Sequence, residues 1–123
     1  CYLQLDKLDD AISSFGNVVR VRPKNISGWT ELLNSLYKAE MLEEAVEYAG
    51  FAFEQTEGKP IFLFYKSAFL YALGKSKEAL LNLEAGMNRN PKLVKKFIQI
   101  NPALLQIQQV VDIIARFKKR KSL

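Results

Sequence analysis

Asp10-Ala11-Ile12, Glu44-Ala45-Val46, Glu78-Ala79-Leu80 and Asp112-Ile113-Ile114 follow one another at a constant step of 34 residues. Each triplet is an acid, then a small or apolar residue, then a branched aliphatic. A fixed period of this length predicts a stacked helical repeat, in which each supersecondary unit buries its apolar face against its neighbours. Other columns keep the same step. Phe15, Ala49, Leu83 and Phe117 align, as do Val18, Ala52 and Gly86. Trp29, Leu63 and Phe97 form a third column, Leu36, Leu70 and Leu104 a fourth, and Tyr37 and Tyr71 a pair. All carry apolar or small residues, as a core shared between stacked units requires.

Within each period the spacing is helical. Leu8, Ile12, Phe15, Val18 and Val19 follow the three-and-four rhythm of an amphipathic helix. The next period predicts a helix over 27–39, through Trp29, Leu32, Leu33 and Leu36, and another over 42–55, through Ala45, Val46, Ala49, Ala52 and Phe53. The column of Ala11, Ala45 and Ala79 predicts close helix–helix approach, because no long side chain holds the backbones apart. The punctuation agrees. Pro23 and Pro91 stand two periods apart, and Glu57-Gly58-Lys59-Pro60 supplies a Gly stop and a Pro start between them. Gly74 and Ser76 divide the third unit. Asn90-Pro91 and Asn101-Pro102 each read as an N-cap followed by a first-turn proline.

These residues resemble the tetratricopeptide repeat family. The middle unit carries Trp29, Leu32, Tyr37-Lys38, Glu44-Ala45, Tyr48 and Ala52, the first Ala11, Phe15 and Pro23, and the third Gly74, Ala79 and Pro91. The resemblance implies an all-α fold, a right-handed helical-repeat solenoid of antiparallel helix hairpins in a single domain over 1–123. Its units would be a truncated repeat at 1–24, repeats at 25–58 and 59–92, and a degenerate capping repeat at 93–123. The last unit departs from the pattern because Pro102 falls inside its first helix, where proline removes a donor and clashes with the preceding turn. A short helix over 91–100, a break, and a helix over 106–119 with a buried stripe of Ile107, Val110, Val111, Ile114 and Phe117 are therefore expected. The chain opens at Cys1, without Met and inside a repeat, and is expected to be a piece of a longer protein.

In this family the first helices of successive units line a concave groove that takes peptides or protein segments. Carried over, the groove would present Ser27, Thr30, Asn34, Tyr37 and Lys38 from the second unit, and Ile61, Phe64, Ala68 and Tyr71 from the third. Asn34 and Lys38 could hydrogen-bond a peptide backbone or carboxylate, and the two tyrosines join an apolar body to a polar tip. Some members clamp chaperone tails through basic groups. Here Ile61, Phe64 and Tyr65 stand where that clamp would want charge, which favours an apolar or aromatic-anchored ligand. The resemblance thus implies a non-catalytic protein-interaction module with a protein or peptide partner. A second reading is self-association, through the apolar residues Tyr2, Leu3, Leu5 and Leu8 that a missing helix would otherwise cover.

The remaining residues argue against chemistry. The chain has no His, and Cys1 is alone, so the usual base, disulfide and metal cluster are not expected. There is no Gly-rich phosphate loop and no nucleophile–base set, so neither enzyme activity nor a cofactor is expected. The net charge is +5, and without Arg116, Lys118, Lys119, Arg120 and Lys121 the 13 other bases balance the 13 acids. That basic end has only Phe117 beside it and reads as a solvated helix terminus, where cations are favoured, rather than a nucleic-acid contact. Glu40, Glu43, Glu44 and Glu47 read in the same way, as acids near a helix N-terminus. No apolar run is long enough for a membrane span. The compartment is open, with the cytoplasm favoured.

Overall fold

The computed structural model describes residues 16, 17, 20, 21 and 24–122, and for 118–122 the backbone alone. The expectations for Leu8, Ala11, Ile12, Phe15, Val18, Val19 and Pro23, and the apolar end at Tyr2, Leu3, Leu5 and Leu8, lie outside the described residues, as does Cys1. From residue 24 onward the described residues form six α-helices and two 3-10 turns, with no strand. The helices are α1 (Ile26–Lys38), α2 (Leu42–Gln55), α3 (Ile61–Ala72), α4 (Ser76–Arg89), α5 (Val94–Ile100) and α6 (Gln108–Ser122). The 3-10 turns are Pro91–Leu93 and Pro102–Gln106. None of these helices is long and apolar enough to cross a membrane.

Local chemistry sets the boundaries. Asn25 caps α1, its side chain accepting the Gly28 amide at 3.2 Å. Asn90 and Asn101 accept from the Lys92 and Ala103 amides, each followed by a proline whose missing N–H costs nothing in a first turn. Both cap 3-10 turns rather than α-helices, so the last unit is more broken than the sequence suggests. Its long helix starts at Gln108, two residues late.

Three turns share one closing geometry. The Met41 amide reaches the Leu36 carbonyl and the Glu40 amide that of Tyr37. The Gly58 amide reaches Phe53 and that of Glu57 reaches Glu54. The Lys75 amide reaches Leu70 and that of Gly74 reaches Tyr71. Each is the paired 6→1 and 5→2 closure of a helix C-terminus, with a left-handed residue at the corner. Those corners are Glu40 at φ 60°, Glu57 at φ 61° and Gly74 at φ 81°. Glu40 is therefore a turn residue, not a first-turn acid of α2; Glu43 and Glu44 hold that place.

From α1 to α4 each helix packs on the next, and α3 additionally contacts α5, as α4 does α6. The core has two parts. One gathers Trp29, Leu32, Leu33 and Leu36 of α1, Ala45, Ala49 and Ala52 of α2, and Phe62, Tyr65 and Phe69 of α3. The other gathers Phe64 and Ala68 of α3, Leu83 and Met87 of α4, Phe97 of α5, Leu104, and Val110, Ile113 and Ile114 of α6. Because α3 is apolar nearly all round, it serves both parts. Each fully buried phenylalanine contributes about 1.5–3 kcal/mol of transfer free energy.

Burial repeats with the sequence. Glu44 and Glu78 are exposed, Ala45 and Ala79 buried, Val46 and Leu80 half-buried; Asp112, Ile113 and Ile114 run exposed, buried, buried. Leu36, Leu70 and Leu104 are all buried. One expected residue is displaced. Val111 is exposed, and Ile113 completes the stripe of α6 with Val110, Ile114 and the half-buried Phe117. The spacing 110, 113, 114, 117 is the closer fit to 3.6 residues per turn.

Candidate protein-binding surface

The side of α1 opposite Trp29, Leu32, Leu33 and Leu36 carries Ser27, Thr30, Asn34 and Lys38, at steps of three and four residues. They share one face for that reason. Ser27 and Lys38 are exposed, while Thr30, Asn34 and the neighbouring Tyr37 are half-buried. The Thr30 hydroxyl donates to the Ser27 carbonyl at 3.0 Å. Asn34 donates a long bond of 3.5 Å to the Tyr65 hydroxyl on α3. The Tyr37 ring stacks on Phe69 with centroids 5.4 Å apart. Two of the row's residues are thus fixed against α3, which preorganises them, whereas Lys38 remains exposed.

On α3 the placement differs from the expectation. Phe64 is 0% exposed and Ala68 3% exposed, so neither offers a surface to a partner. The Phe64 ring lies between α4 and α5: it meets Phe97 at 6.3 Å, and a Cβ built on Gly86 would stand 2.9 Å from it. The family resemblance implies that both residues face a groove. The physical reason they are not is that α5 follows α3 closely and roofs that face through Phe97. Tyr65 is buried as well and Ile61 packs on the first core, which leaves Tyr71 as the partly exposed aromatic from this helix.

Tyr71 meets Phe97 edge-on, with centroids 6.4 Å apart, and its hydroxyl is enclosed without a hydrogen-bond partner. An enclosed phenol is costly to ionise. Desolvation holds the Tyr71 proton above the ordinary tyrosine range. At Tyr65 desolvation likewise pushes the value up, the Asn34 hydrogen bond opposes it, and Glu31 adds to it. Both phenols are therefore held in the neutral form by their surroundings.

The outer side of α2 shows a different feature. Tyr48 and Phe51 are exposed and meet edge-on at 6.0 Å. On the opposite flank Arg89 of α4 lies over the Phe53 ring at 5.2 Å and donates to the Gly58 carbonyl, linking the ends of α2 and α4. Lys24 and Glu57 form an ion pair at 2.9 Å, both largely exposed, and Lys24 holds the Glu57 carboxyl below its usual range. Among the described residues no group of His, Cys, Asp and Glu is placed to hold a metal ion.

Compared with models of known protein families, with curated proteins and with solved structures, the chain matches none. What the surface does must be argued from its own residues. The family resemblance pointed to Thr30, Asn34, Tyr37 and Lys38, and they lie together on one helix. Tyr65 and Phe69, which hold two of them, were not legible as such, because their role depends on how α1 and α3 cross.

Proposed function

We propose that this chain is a non-catalytic protein-interaction module of the tetratricopeptide-repeat type, a right-handed solenoid of helix hairpins whose first helices receive a peptide or protein segment. The observation that carries this reading is the partly exposed row on α1, Thr30, Asn34, Tyr37 and Lys38, with Tyr37 and Asn34 held in place by Phe69 and Tyr65. A rigid row of amide, phenol and ammonium groups can pair with peptide backbone and carboxylate groups at little ordering cost. Tyr71 adds a partly buried aromatic edge. The binding strip is narrower than the family pattern implies, since Phe64 and Ala68 are excluded from it.

The repeat reading draws support from register. The second helices, α2 and α4, begin and end one period apart, at Leu42 and Ser76 and at Gln55 and Arg89. The left-handed corners Glu40 and Gly74 keep the same step. The first helices meet through Tyr37–Phe69 and Phe64–Phe97, and the second through Arg89.

Selection from a displayed random-peptide library, followed by binding to the parent and to Asn34→Ala/Lys38→Glu, tests the function. The reading expects enriched peptides that lose most of their affinity for a variant whose melting temperature is unchanged. Peptides that bind both proteins equally would place the partner elsewhere.

A further inference from the structure

The end of α4, the first 3-10 turn, the start of α5 and the C-terminal half of α6 line a half-open cavity of about 380 Å³. Its apolar lining comes from Met87 of α4, Pro91 of the 3-10 turn, Val94 of α5, and Ile114 and Phe117 of α6; two cations, Lys92 and Lys95, complete it. Met87 and Ile114 are core residues, whereas Lys92 and Lys95 are exposed, so the cavity is apolar in its depth and positive at its mouth. No acid stands among its lining residues.

The hollow has a structural origin. Asn90 and Pro91 end α4 and start the 3-10 turn, which displaces α5 from the line of a continuous helix. Pro102 and the second 3-10 turn then delay the start of α6 to Gln108. α6 packs on α4 and on the second 3-10 turn. The corner between the first 3-10 turn and the far half of α6 is left unfilled.

We propose that this cavity binds a small single-chain carboxylate amphiphile, a medium-chain fatty acid or a molecule of that chemistry. Its alkyl chain would lie against Met87, Val94, Ile114 and Phe117, and its carboxylate would meet the ammonium groups of Lys92 and Lys95. Three observations select this class. The volume falls in the range of small-molecule sites, about 300–1,000 Å³. The lining converges from separate elements into a pit rather than running along one helix as a peptide groove does. The charge at the mouth is of one sign and supplied by lysines, compact cations that suit a single carboxylate at the edge of water. The site is separate from the α1 surface and does not depend on its function.

Decanoate, titrated below its micelle concentration into the isotopically labelled chain, tests the proposal, with decanol as the neutral counterpart. Saturable shifts of the Met87, Val94 and Ile114 methyl signals are expected. Lys92→Glu/Lys95→Glu, at exposed positions, should melt as the parent does, bind decanol as before, and lose about tenfold or more in decanoate affinity, the sum of two modest ion pairs. Val94→Trp, which narrows the cavity, should weaken the binding of both ligands. Three results would overturn the proposal. One is charge reversal without effect on decanoate. Another is shifts spread equally over the exposed Tyr48, Phe51, Leu81 and Leu105, the mark of adsorption. The third is an acidic apolar peptide that moves the cavity signals when decanoate does not.

Discussion

Tyr71 and Gly86 show how single residues are settled by their surroundings. The Tyr71 hydroxyl is enclosed without a partner, a cost that Tyr71→Phe removes. That variant should be more stable by about 1 kcal/mol in denaturant melts. The phenols also make stability depend on alkaline pH. In the unfolded chain a tyrosine titrates at about 10. In the folded chain desolvation holds the protons of Tyr71 and Tyr65 beyond that point. Above the ordinary value the unfolded state therefore binds fewer protons than the folded one, and stability falls as pH rises. Phenolate absorbance should show a late component from Tyr71 and Tyr65, reduced by one phenol in Tyr71→Phe. An unchanged late component in Tyr71→Phe would contradict this. Gly86 faces the Phe64 ring closely, while a Cβ on Gly50 meets nothing within 4 Å. Gly50→Ala should gain about 0.5–1 kcal/mol from helix propensity. Gly86→Ala should lose about 1–2 kcal/mol, because displacing a fully packed ring outweighs that gain. Equal melting temperatures for the two variants would mean that Phe64 moves freely.

At the scale of the element, the repeat lies as much in its turns as in its helices. Glu40 and Gly74 occupy the same left-handed corner one period apart, yet only glycine adopts that corner without a Cβ penalty. Glu40→Gly should therefore raise stability by about 0.5–1 kcal/mol after the greater freedom of unfolded glycine is allowed for, and an unchanged or lower melting temperature would argue against the strain. The small column has a complementary test. Ala45 is fully buried between α1, α2 and α3, so Ala45→Trp should cost about 1–3 kcal/mol or more by overpacking; a variant that melts like the parent would show that the helices are not in close contact there. The helices α1 to α4 were legible from period and punctuation because both depend on local sequence. The bounds of α2 follow Leu42 and Gln55, as the spacing indicates. The last unit was less legible. Two Asn-Pro pairs make 3-10 turns there, and whether a cap opens an α-helix or a tighter turn depends on what packs beneath it.

For the whole molecule, α3 decides what is surface and what is core. It gives Phe62, Tyr65 and Phe69 to one part of the core and Phe64 and Ala68 to the other. A 34-residue pattern treats Thr30 and Phe64 as equivalent, but α1 and α3 differ in what lies above them, and sequence position alone does not carry that. The candidate site was therefore half readable: the family resemblance named Thr30, Asn34, Tyr37 and Lys38, and helical spacing puts three of them on one face, whereas the burial of Phe64 and Ala68 required knowing that α5 packs on α3. The central claim, a peptide-receiving row on α1, is tested most directly by mapping backbone amide shifts of the labelled chain with a library-selected peptide. The account predicts saturable shifts concentrated in α1 around Thr30, Asn34, Tyr37 and Lys38, with a lesser response at Tyr71. Shifts centred on α2 around Tyr48 and Phe51, with α1 silent, would contradict it.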